Sequence, residues 1–370
     1  MIDRRQLLIS GVAAGLVGDP APARDRYDAV VAPAARRDVP AGRRFADLGA
    51  ALAAVPRSGG HRIWLAHGEW RGQHVIDTPD VVLIGEDRKR TRIAFTAASG
   101  MIAPDGKHYG TYRTATLTVS APGFTARNLT IANDFDGIAE MRKTGPRLLS
   151  DDPAGPQAVA LRLAGESDRA RLDAVDIHSH QDTFFPDAGR VVLRDCTISG
   201  SYDFIFGAGA ALFQRCEIRS RPRPDPRQVT GYIAAPSTLM TQPFGLVFDH
   251  CRLTRDPDVA DGSVFLGRPW RPSKRFADGQ YGNPQAAGMA TYLNCWMDAH
   301  IATAGWAEMW YTGRDGNPRH MLQPEEARFS EFGSRGPGAS RGRRLPTLSA
   351  AQAAKIKSLA TSQAARLYLR

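Results

Sequence analysis

The chain has 370 residues, of which 42% are hydrophobic and 23% charged, and its formal net charge is +10. The apolar share is ample for a continuous core, which excludes a largely disordered chain. Basic residues are spread along the sequence without an aromatic-basic nucleic-acid motif, so the charge favours a polyanionic partner. An acidic polysaccharide fits as well as a nucleic acid does, and a basic surface that serves only solubility is the third possibility.

The N-terminus has the pattern of an export signal. Arg4-Arg5 precede an apolar run from Leu7 to Val17, and Ala21-Pro22-Ala23 offers a small-residue cleavage site. The arginine pair also resembles a twin-arginine signal, so both the general and the twin-arginine export routes stay open. The run is too short for a permanent membrane helix, and no second hydrophobic run follows it. We assign residues 1–23 to the signal and 24–40 to a linker, and we expect a periplasmic or secreted protein without a membrane span.

A strand-like pattern repeats through the middle of the chain. An apolar residue, a central Val, Leu or Cys three positions later, and an apolar residue two positions after that recur along the sequence. The central residues are Leu129, Val175, Cys196, Cys216, Cys251 and Cys295. Their spacings of 20 to 46 residues correspond to one or two turns of a coil, as in a solenoid. We predict a right-handed parallel β-helix over residues 41–346, with a β-sandwich as the alternative.

Helices are predicted at both ends of this solenoid. The stretch from Phe45 to Val55 is typical of a short helix that caps the N-terminal end. Leu348 to Leu369 is Ala-rich and amphipathic, with Ser349 as its N-cap. We therefore assign residues 347–370 to a C-terminal helix that closes the other open end.

All four cysteines occupy the same place in the repeat. Residues stacked in consecutive coils are the easiest to bridge, because coils lie about 4.8 Å apart. We predict a Cys196–Cys216 disulfide, and a Cys251–Cys295 bridge is less favoured because long loops separate those two residues. The alternative is a ladder of buried free thiols that act as small hydrophobic groups.

Side chains that could carry chemistry recur at nearly the same period. Asp182 and Asp203 are 21 residues apart, and Gln157 and Gln181 are 24 residues apart. In a chain wound in coils of that length, they would stack on one face and place a nucleophile, an acid and two amide donors around one point. As alternatives, either aspartate could simply end a strand, and stacked glutamines could form an amide ladder inside the coil.

A metal site is a competing interpretation of the segment His178-Ser179-His180-Gln181-Asp182. On a strand, the two histidines and Asp182 would share one face, as metallohydrolase ligands do. The next histidine of that signature is replaced by Thr183, and the αββα fold that carries it conflicts with the repeat. We therefore predict no metal.

Ten short motifs follow one another in a fixed order. They are Gly68-Glu69-Trp70, Ala115 to Thr118, Gly123 to Asn133, Gln157 to Leu161, Gln181-Asp182-Thr183, Asp203 to Gly207, Leu266 to Trp270, Gly305-Trp306, Ala327 to Phe332 and Gly336 to Ala339. In this order they resemble the motifs of the pectin methylesterase (pectinesterase) family, and the loops resemble its bacterial branch. The resemblance covers about residues 40–350.

The resemblance implies a carboxylic ester hydrolase that removes methyl esters from the galacturonate units of pectin and releases methanol. It makes Asp203 the nucleophile, Asp182 the general acid and then base, Gln157 and Gln181 the oxyanion donors, and Arg268 the group that orients the nucleophile. The residues that would bind the substrate are Trp270, Phe206, Thr116 and Met309. The enzyme would need no cofactor, would bind an acidic polysaccharide and no nucleic acid, and would act as a monomer.

Two departures from the family pattern place bulk near the predicted site. Tyr202 stands where a small residue is usual, and Phe184-Phe185 replaces the usual Leu-Tyr. An acyl-thioester hydrolase on the same fold and a non-catalytic polysaccharide-binding β-helix are therefore the alternative functions.

The segments 132–156 and 254–290 interrupt the repeat next to the site, so we predict that they form the walls of a cleft.

Overall fold

The computed structural model describes residues 27–34, 41–144, 155–224, 229–339 and 347–368. Within these ranges, three parallel sheets hold most of the strands, and we call them the first, second and third sheet. The first sheet contains, in spatial order, Arg44–Phe45, Ala29–Val31, Arg62–Leu65, Val82–Gly85, Thr125–Arg127, Ala170–Asp173, Arg190–Arg194, Ala210–Gln214, Leu246–Asp249, Met289–Leu293 and Arg328–Phe332. The second contains Trp296–Met297, Arg252–Arg255, Glu217–Ser220, Thr197–Gly200, Asp176–His178, Thr130–Asn133, Thr91–Phe95 and Gly68–Arg71. The third contains Val264–Gly267, Gly231–Pro236, Tyr202–Gly207, Phe184–Pro186, Leu161–Leu163, Leu117–Val119 and His74–Ile76.

Helices and hairpins make up the remaining regular structure of the described residues. The α-helices are α1 (Leu48–Ala53), α2 (Gly110–Arg113), α3 (Gly137–Thr144) and α4 (Ala350–Tyr368). Two short 3-10 helices span Ala41–Arg43 and Pro324–Glu326. Antiparallel hairpins pair Ser273–Phe276 with Gly279–Gly282 and Met309–Tyr311 with His320–Leu322.

Consecutive strands of the chain visit the three sheets in turn. Arg190–Arg194, Thr197–Gly200 and Tyr202–Gly207 form one complete coil, and Ala210–Gln214 begins the next. Corresponding strands of successive coils pair in parallel and in register, as Leu193 does with Phe213. Connections between parallel strands of one sheet are right-handed in about 98% of cases. The predicted right-handed parallel β-helix is confirmed.

A single left-handed residue turns the chain between the first and second sheets in the six coils that carry the repeat. The turning residues are Asn128, Ala174, Asp195, Arg215, His250 and Asn294, with φ between 52° and 56°. Each stands immediately before one of the six central residues of the sequence repeat. One residue in this conformation bends the chain by itself, so the strands on both sides keep their pairing. The repeat in the sequence therefore comes from a repeated corner.

Inward side chains stack from coil to coil in the core. The rings of Phe213 and Phe248 are 4.5 Å apart at an interplanar angle of 12°, and those of Phe248 and Tyr292 are 4.4 Å apart at 5°. All three are fully buried. Burying one such ring contributes about 2–3 kcal/mol to the free energy of unfolding. The in-register stacking therefore holds neighbouring coils at a fixed rotation.

The four cysteines are free, buried thiols, and the predicted Cys196–Cys216 disulfide is wrong. Each thiol donates to a backbone carbonyl of the preceding coil, as Cys196 Sγ does to Leu172 O at 3.4 Å and Cys216 Sγ to Leu193 O at 3.5 Å. The side chains leave equivalent corners in parallel, whereas a disulfide needs a dihedral angle near about 90° across its two sulfur atoms. The less favoured Cys251–Cys295 bridge is absent for the same reason.

The solenoid starts earlier than predicted. Ala29–Val31 is a strand of the first sheet between Arg44–Phe45 and Arg62–Leu65, so the assignment of residues 24–40 to a linker is wrong for these residues. At this end, α1 covers the core with Leu48 and Ala51, which confirms the predicted N-terminal cap. The predicted export signal, residues 1–23, lies outside the described residues. In the part of the chain that is described, we find no helix that is both long and apolar enough to span a membrane.

The C-terminal helix α4 lies along the side of the solenoid. Ala353 and Ala360 are buried against the outer face of the first sheet, which presents Leu212, Val247 and Met289 there. The helix itself was predicted correctly, but its expected position across the open end is wrong. Strands of a parallel sheet are commonly apolar on both faces, and the outer face must then be covered by another element.

Candidate active site

A cleft of about 500 Å³ opens on the outer face of the third sheet. Asp182, Asp203 and Phe206 line it, together with Trp270 and Met309. The structure thus gathers five of the predicted site residues from widely separated parts of the sequence. The remaining lining comes mainly from residues 109–113, which include α2, and from residues 271–273 and 310–312.

The predicted walls of the cleft are only half correct. Residues 270–273 lie at the cleft, as expected for the segment 254–290. The described part of the segment 132–156, which includes α3, borders a different cavity beside the second sheet.

Both aspartates sit at corners where the backbone takes the left-handed conformation. The φ angles are 63° at Asp182 and 47° at Asp203. Asp203 also lies in a bulge, where the register between Tyr202–Gly207 and its neighbour strand shifts. Bulges turn a side chain away from the regular alternation. The Asp182 amide donates to Tyr202 O at 3.1 Å, which holds the two corners in consecutive coils next to each other.

Arg268 binds the carboxylate of Asp203 with two hydrogen bonds. Nε donates to Oδ1 at 2.9 Å and Nη2 donates to Oδ2 at 2.5 Å. Both side chains are less than a tenth exposed. Burial alone would lower the pKa of Arg268, but the charge of Asp203 raises it above the usual value. Arg268 therefore stays charged, and the bidentate geometry of its two bonds fixes the plane of the carboxylate.

Gln157 and Gln181 lie on consecutive coils beside the aspartates. Their backbones form a parallel bridge with each other, and Gln181 forms a second bridge with Tyr202. The two glutamines are 1% and 6% exposed, and neither is among the described residues that line the cleft. The structure brings both amides into the neighbourhood of Asp182 as buried groups.

Aromatic rings form one side of the cleft on the outer face of the third sheet. Phe185 and Phe206 stack at 4.1 Å with an interplanar angle of 6°, and Trp270 is tilted against Phe206 at 5.7 Å. Phe184, by contrast, belongs to the core. Of the two replaced residues, only Phe185 therefore adds bulk next to the site.

Thr116, which we predicted to bind the substrate, is not among the described residues that line the cleft. Thr116 is fully buried, and its hydroxyl donates to Ala132 O at 2.8 Å. The preceding residue, Ala115, packs with Phe185 and Phe206.

His178 and His180 line the second cavity, not the cleft that contains Asp182. The left-handed Asp182 breaks the alternation on which a shared face would depend. His178 Nδ1 instead lies 2.8 Å from Ser199 Oγ. Among the described residues, we find no group of three His, Cys, Asp or Glu side chains able to hold a metal.

Residues 109–113 were missed from the sequence. Tyr112 is half exposed at the cleft and stacks on Phe185 at 5.4 Å. The available signal was a pair of tyrosines, Tyr109 and Tyr112, in the long interval between Thr91–Phe95 and Leu117–Val119. Trp310, which is half exposed at the cleft next to Met309, was missed as well.

On this parallel β-helix, two carboxylates meet at one cleft and Arg268 holds one of them, an arrangement that suits hydrolysis of an ester. The pectinesterase family model matches residues 40–366, and the chain therefore belongs to the pectinesterase family. The predicted family and enzyme class are confirmed.

Individual relatives agree with this assignment. The chain is 38% identical over 340 residues to pectinesterase A from Dickeya chrysanthemi, covering 90% of each protein. The pectin methylesterase from Yersinia enterocolitica has a solved structure with a TM-score of 0.77 and 41% identity, over 85% of this chain and 96% of that one. A pectin methylesterase solved in complex with a hexasaccharide matches with a TM-score of 0.81 and 38% identity, over 89% of this chain and 95% of that one.

Proposed function

We propose that this protein removes methyl esters from galacturonate units of pectin and releases methanol, with Asp203 as the nucleophile. The observation that carries the proposal is the buried, bidentate Arg268–Asp203 pair at a cleft that Asp182 also lines. The relative with a bound hexasaccharide supports a cleft that accepts a sugar chain.

In the first step, an oxygen of Asp203 attacks the ester carbonyl carbon. The carbonyl oxygen becomes an oxyanion, to which the side-chain amides of Gln157 and Gln181 donate hydrogen bonds. Amides stabilise the developing charge without adding a charge of their own to the buried site. Because Gln157 and Gln181 are buried in the free protein, this role requires their amide nitrogens to reach the carbonyl from beside the cleft.

Asp182 completes the reaction. Its protonated carboxyl donates to the departing methoxide, so methanol leaves and an acyl-enzyme anhydride with Asp203 remains. The Asp182 carboxylate then accepts a proton from water, which attacks the substrate acyl carbon and frees Asp203. The balance is one ester and one water converted to one carboxylic acid and one methanol.

The other cleft residues suit an acidic sugar chain. Trp270, Phe206 and Tyr112 offer ring faces for the apolar faces of sugar rings. Arg113 and Arg271 come from two different lining segments, and their guanidinium groups match galacturonate carboxylates that carry no methyl ester. An extracellular polymer as substrate also fits the export signal predicted for residues 1–23.

The experiment measures methanol release from highly methylated pectin, with an acyl-thioester substrate assayed in parallel. We expect methanol from pectin, and a fall of about 10²–10⁴-fold in kcat for Asp182→Asn. Asp195→Asn is the matched control, because Asp195 also occupies a left-handed corner but lies outside the cleft. Hydrolysis of the thioester without methanol release from pectin would contradict the proposed substrate.

A further inference from the structure

Tyr202 lies against the catalytic arginine and does not line the cleft. Tyr202 is 5% exposed and directly precedes Asp203 in the chain. The guanidinium carbon of Arg268 is 4.7 Å from the centre of the Tyr202 ring, and that of Arg223 is 4.1 Å from it. The large side chain of Tyr202, which the sequence analysis expected beside the site, therefore packs against Arg268 and Arg223.

Tyr232 provides a second ring for Arg268. The guanidinium carbon lies 4.3 Å from the ring centre of Tyr232, whose plane is perpendicular to that of Tyr202, with the two ring centres 4.9 Å apart. The sheet builds this arrangement, because Tyr202 pairs with Tyr232 and Tyr232 pairs with Phe265 in successive strands. Phe265 stacks on Tyr232 at 5.8 Å and 9°. The two tyrosines thus form a ring corner around the guanidinium.

A buried guanidinium needs such support. Two of its donors hold Asp203, yet the whole side chain is only 7% exposed. The faces of aromatic rings carry partial negative charge and attract a cation most strongly where water is excluded. Rings on two sides also restrict rotation of the guanidinium plane. Because the bonds to Asp203 are bidentate, a rotation of that plane would turn the carboxylate with it.

We propose that Tyr202 is a positioning residue for the reaction: its ring, together with that of Tyr232, fixes the plane of Arg268 and through it the attack geometry of Asp203. This inference rests on the proposed roles of Asp203 and Arg268. A misplacement of about 1 Å in a reacting group can cost about 10²-fold in rate. Loss of the Tyr202 ring is therefore expected to lower kcat and leave KM nearly unchanged, since Tyr202 is not at the cleft surface.

The test compares Tyr202→Leu with Tyr202→Phe in the full-length protein, using methanol release from methylated pectin. We expect Tyr202→Leu to lose about tenfold in kcat with KM within about twofold. Tyr202→Phe keeps the ring face and should retain at least about half of the wild-type kcat. Phe213→Leu is the matched control, because it removes an equally buried ring that does not touch Arg268. It should lower the melting temperature and leave the kcat of the folded protein unchanged.

A second comparison separates positioning from a general loss of structure. In an Arg268→Lys background, the planar group that Tyr202 holds is gone, so Tyr202→Leu should cost less than about twofold further in kcat. The inference is overturned if Tyr202→Leu keeps full kcat, if Tyr202→Phe falls as far as Tyr202→Leu, or if the loss is the same in the Arg268→Lys background. A wild-type protein that releases no methanol would instead refute the proposed function.

Discussion

Arg268 reaches Asp203 across 65 residues of sequence and holds both of its carboxylate oxygens from below the cleft, with Nε at 2.9 Å from Oδ1 and Nη2 at 2.5 Å from Oδ2. Both residues are buried, so solvent screens the attraction between their charges only weakly. Its consequence is orientation: the carboxylate that is proposed to attack the ester has one fixed plane.

Arg268→Lys should lower kcat by about 10²-fold, because a lysine keeps the charge but bonds as a single point and leaves the carboxylate free to turn. Steady-state kinetics on methylated pectin check this, with the melting temperature measured in parallel. Arg215→Lys is the control, since Arg215 also holds an aspartate, Asp195, with two hydrogen bonds but does so on the surface. Equal activity of the wild type and Arg268→Lys would show that the bidentate geometry is dispensable.

Arg271→Gln should raise KM for partly de-esterified pectin more than KM for a small neutral methyl ester. Arg271 lines the cleft, where its charge can meet a free carboxylate of the polymer, and added salt should narrow the difference by screening. Arg275→Gln is a matched control on the neighbouring hairpin, outside the described cleft lining. Identical changes for both substrates would mean that the charge of Arg271 does not capture substrate. Identical changes for both variants would mean that capture does not depend on a charge at the cleft lining.

All four thiols should be free in the purified protein. Titration with a thiol reagent under denaturing conditions without reductant should count four, and the native protein should react slowly because Cys196, Cys216, Cys251 and Cys295 are at most 1% exposed. Burial also raises the pKa of the Cys196 thiol, so little reactive thiolate forms. Recovery of a linked Cys196–Cys216 peptide from protein exported by cells would contradict this expectation.

Stability should fall on acidification because His300 is buried in its neutral form. Burial, opposed by Asp298 and aided by Arg255, lowers the pKa of His300 from 6.5 to about 4, and Asp261 faces it as well. The unfolded chain takes up a proton on this imidazole below about pH 6.5, whereas the folded chain stays neutral until about pH 4. The contribution of neutral His300 to the free energy of unfolding is therefore fully present above pH 6.5. It decreases as the pH falls towards 4, by at most about 3 kcal/mol.

Urea unfolding at pH 7 and at pH 4.5 measures this effect. His300→Leu should narrow the difference in the free energy of unfolding between the two pH values, since no proton can bind there. His108→Leu, which replaces an exposed histidine, should leave the difference as in the wild type. If both variants behave alike, His300 does not contribute to the acid sensitivity.

Much of the fold could be predicted because a coil repeats its corners. The central residues Leu129 and Val175, and the cysteines after them, follow a left-handed residue in every case, so a local feature of the sequence carried the global architecture. What failed depended on direction. Cys196 and Cys216 do not form a disulfide, because bridging depends on the directions of their side chains. The position of α4 depends on outward apolar residues such as Val247, which the sequence pattern does not distinguish from core residues.

The site could be predicted where chemistry needs a particular residue type. Asp182 and Asp203 meet at one cleft because two carboxylates one coil apart must share a face. Thr116 was predicted to bind substrate but is buried, and Tyr202, which was expected to add bulk beside the site, packs its ring on Arg268. Such contacts depend on the pairing of Tyr202 with Tyr232, a residue of the next coil, and no local sequence pattern gives that register.

Methanol release by Asp203→Asn tests most directly whether Asp203 is the nucleophile. The amide has nearly the same shape as the carboxylate but is a far weaker nucleophile, so kcat should fall by at least about 10³-fold while the protein stays folded. Asp195→Asn, at an equivalent corner away from the cleft, should keep full activity. If folded Asp203→Asn retains more than about a tenth of the wild-type kcat, the nucleophile is a different group and the account of this site is wrong.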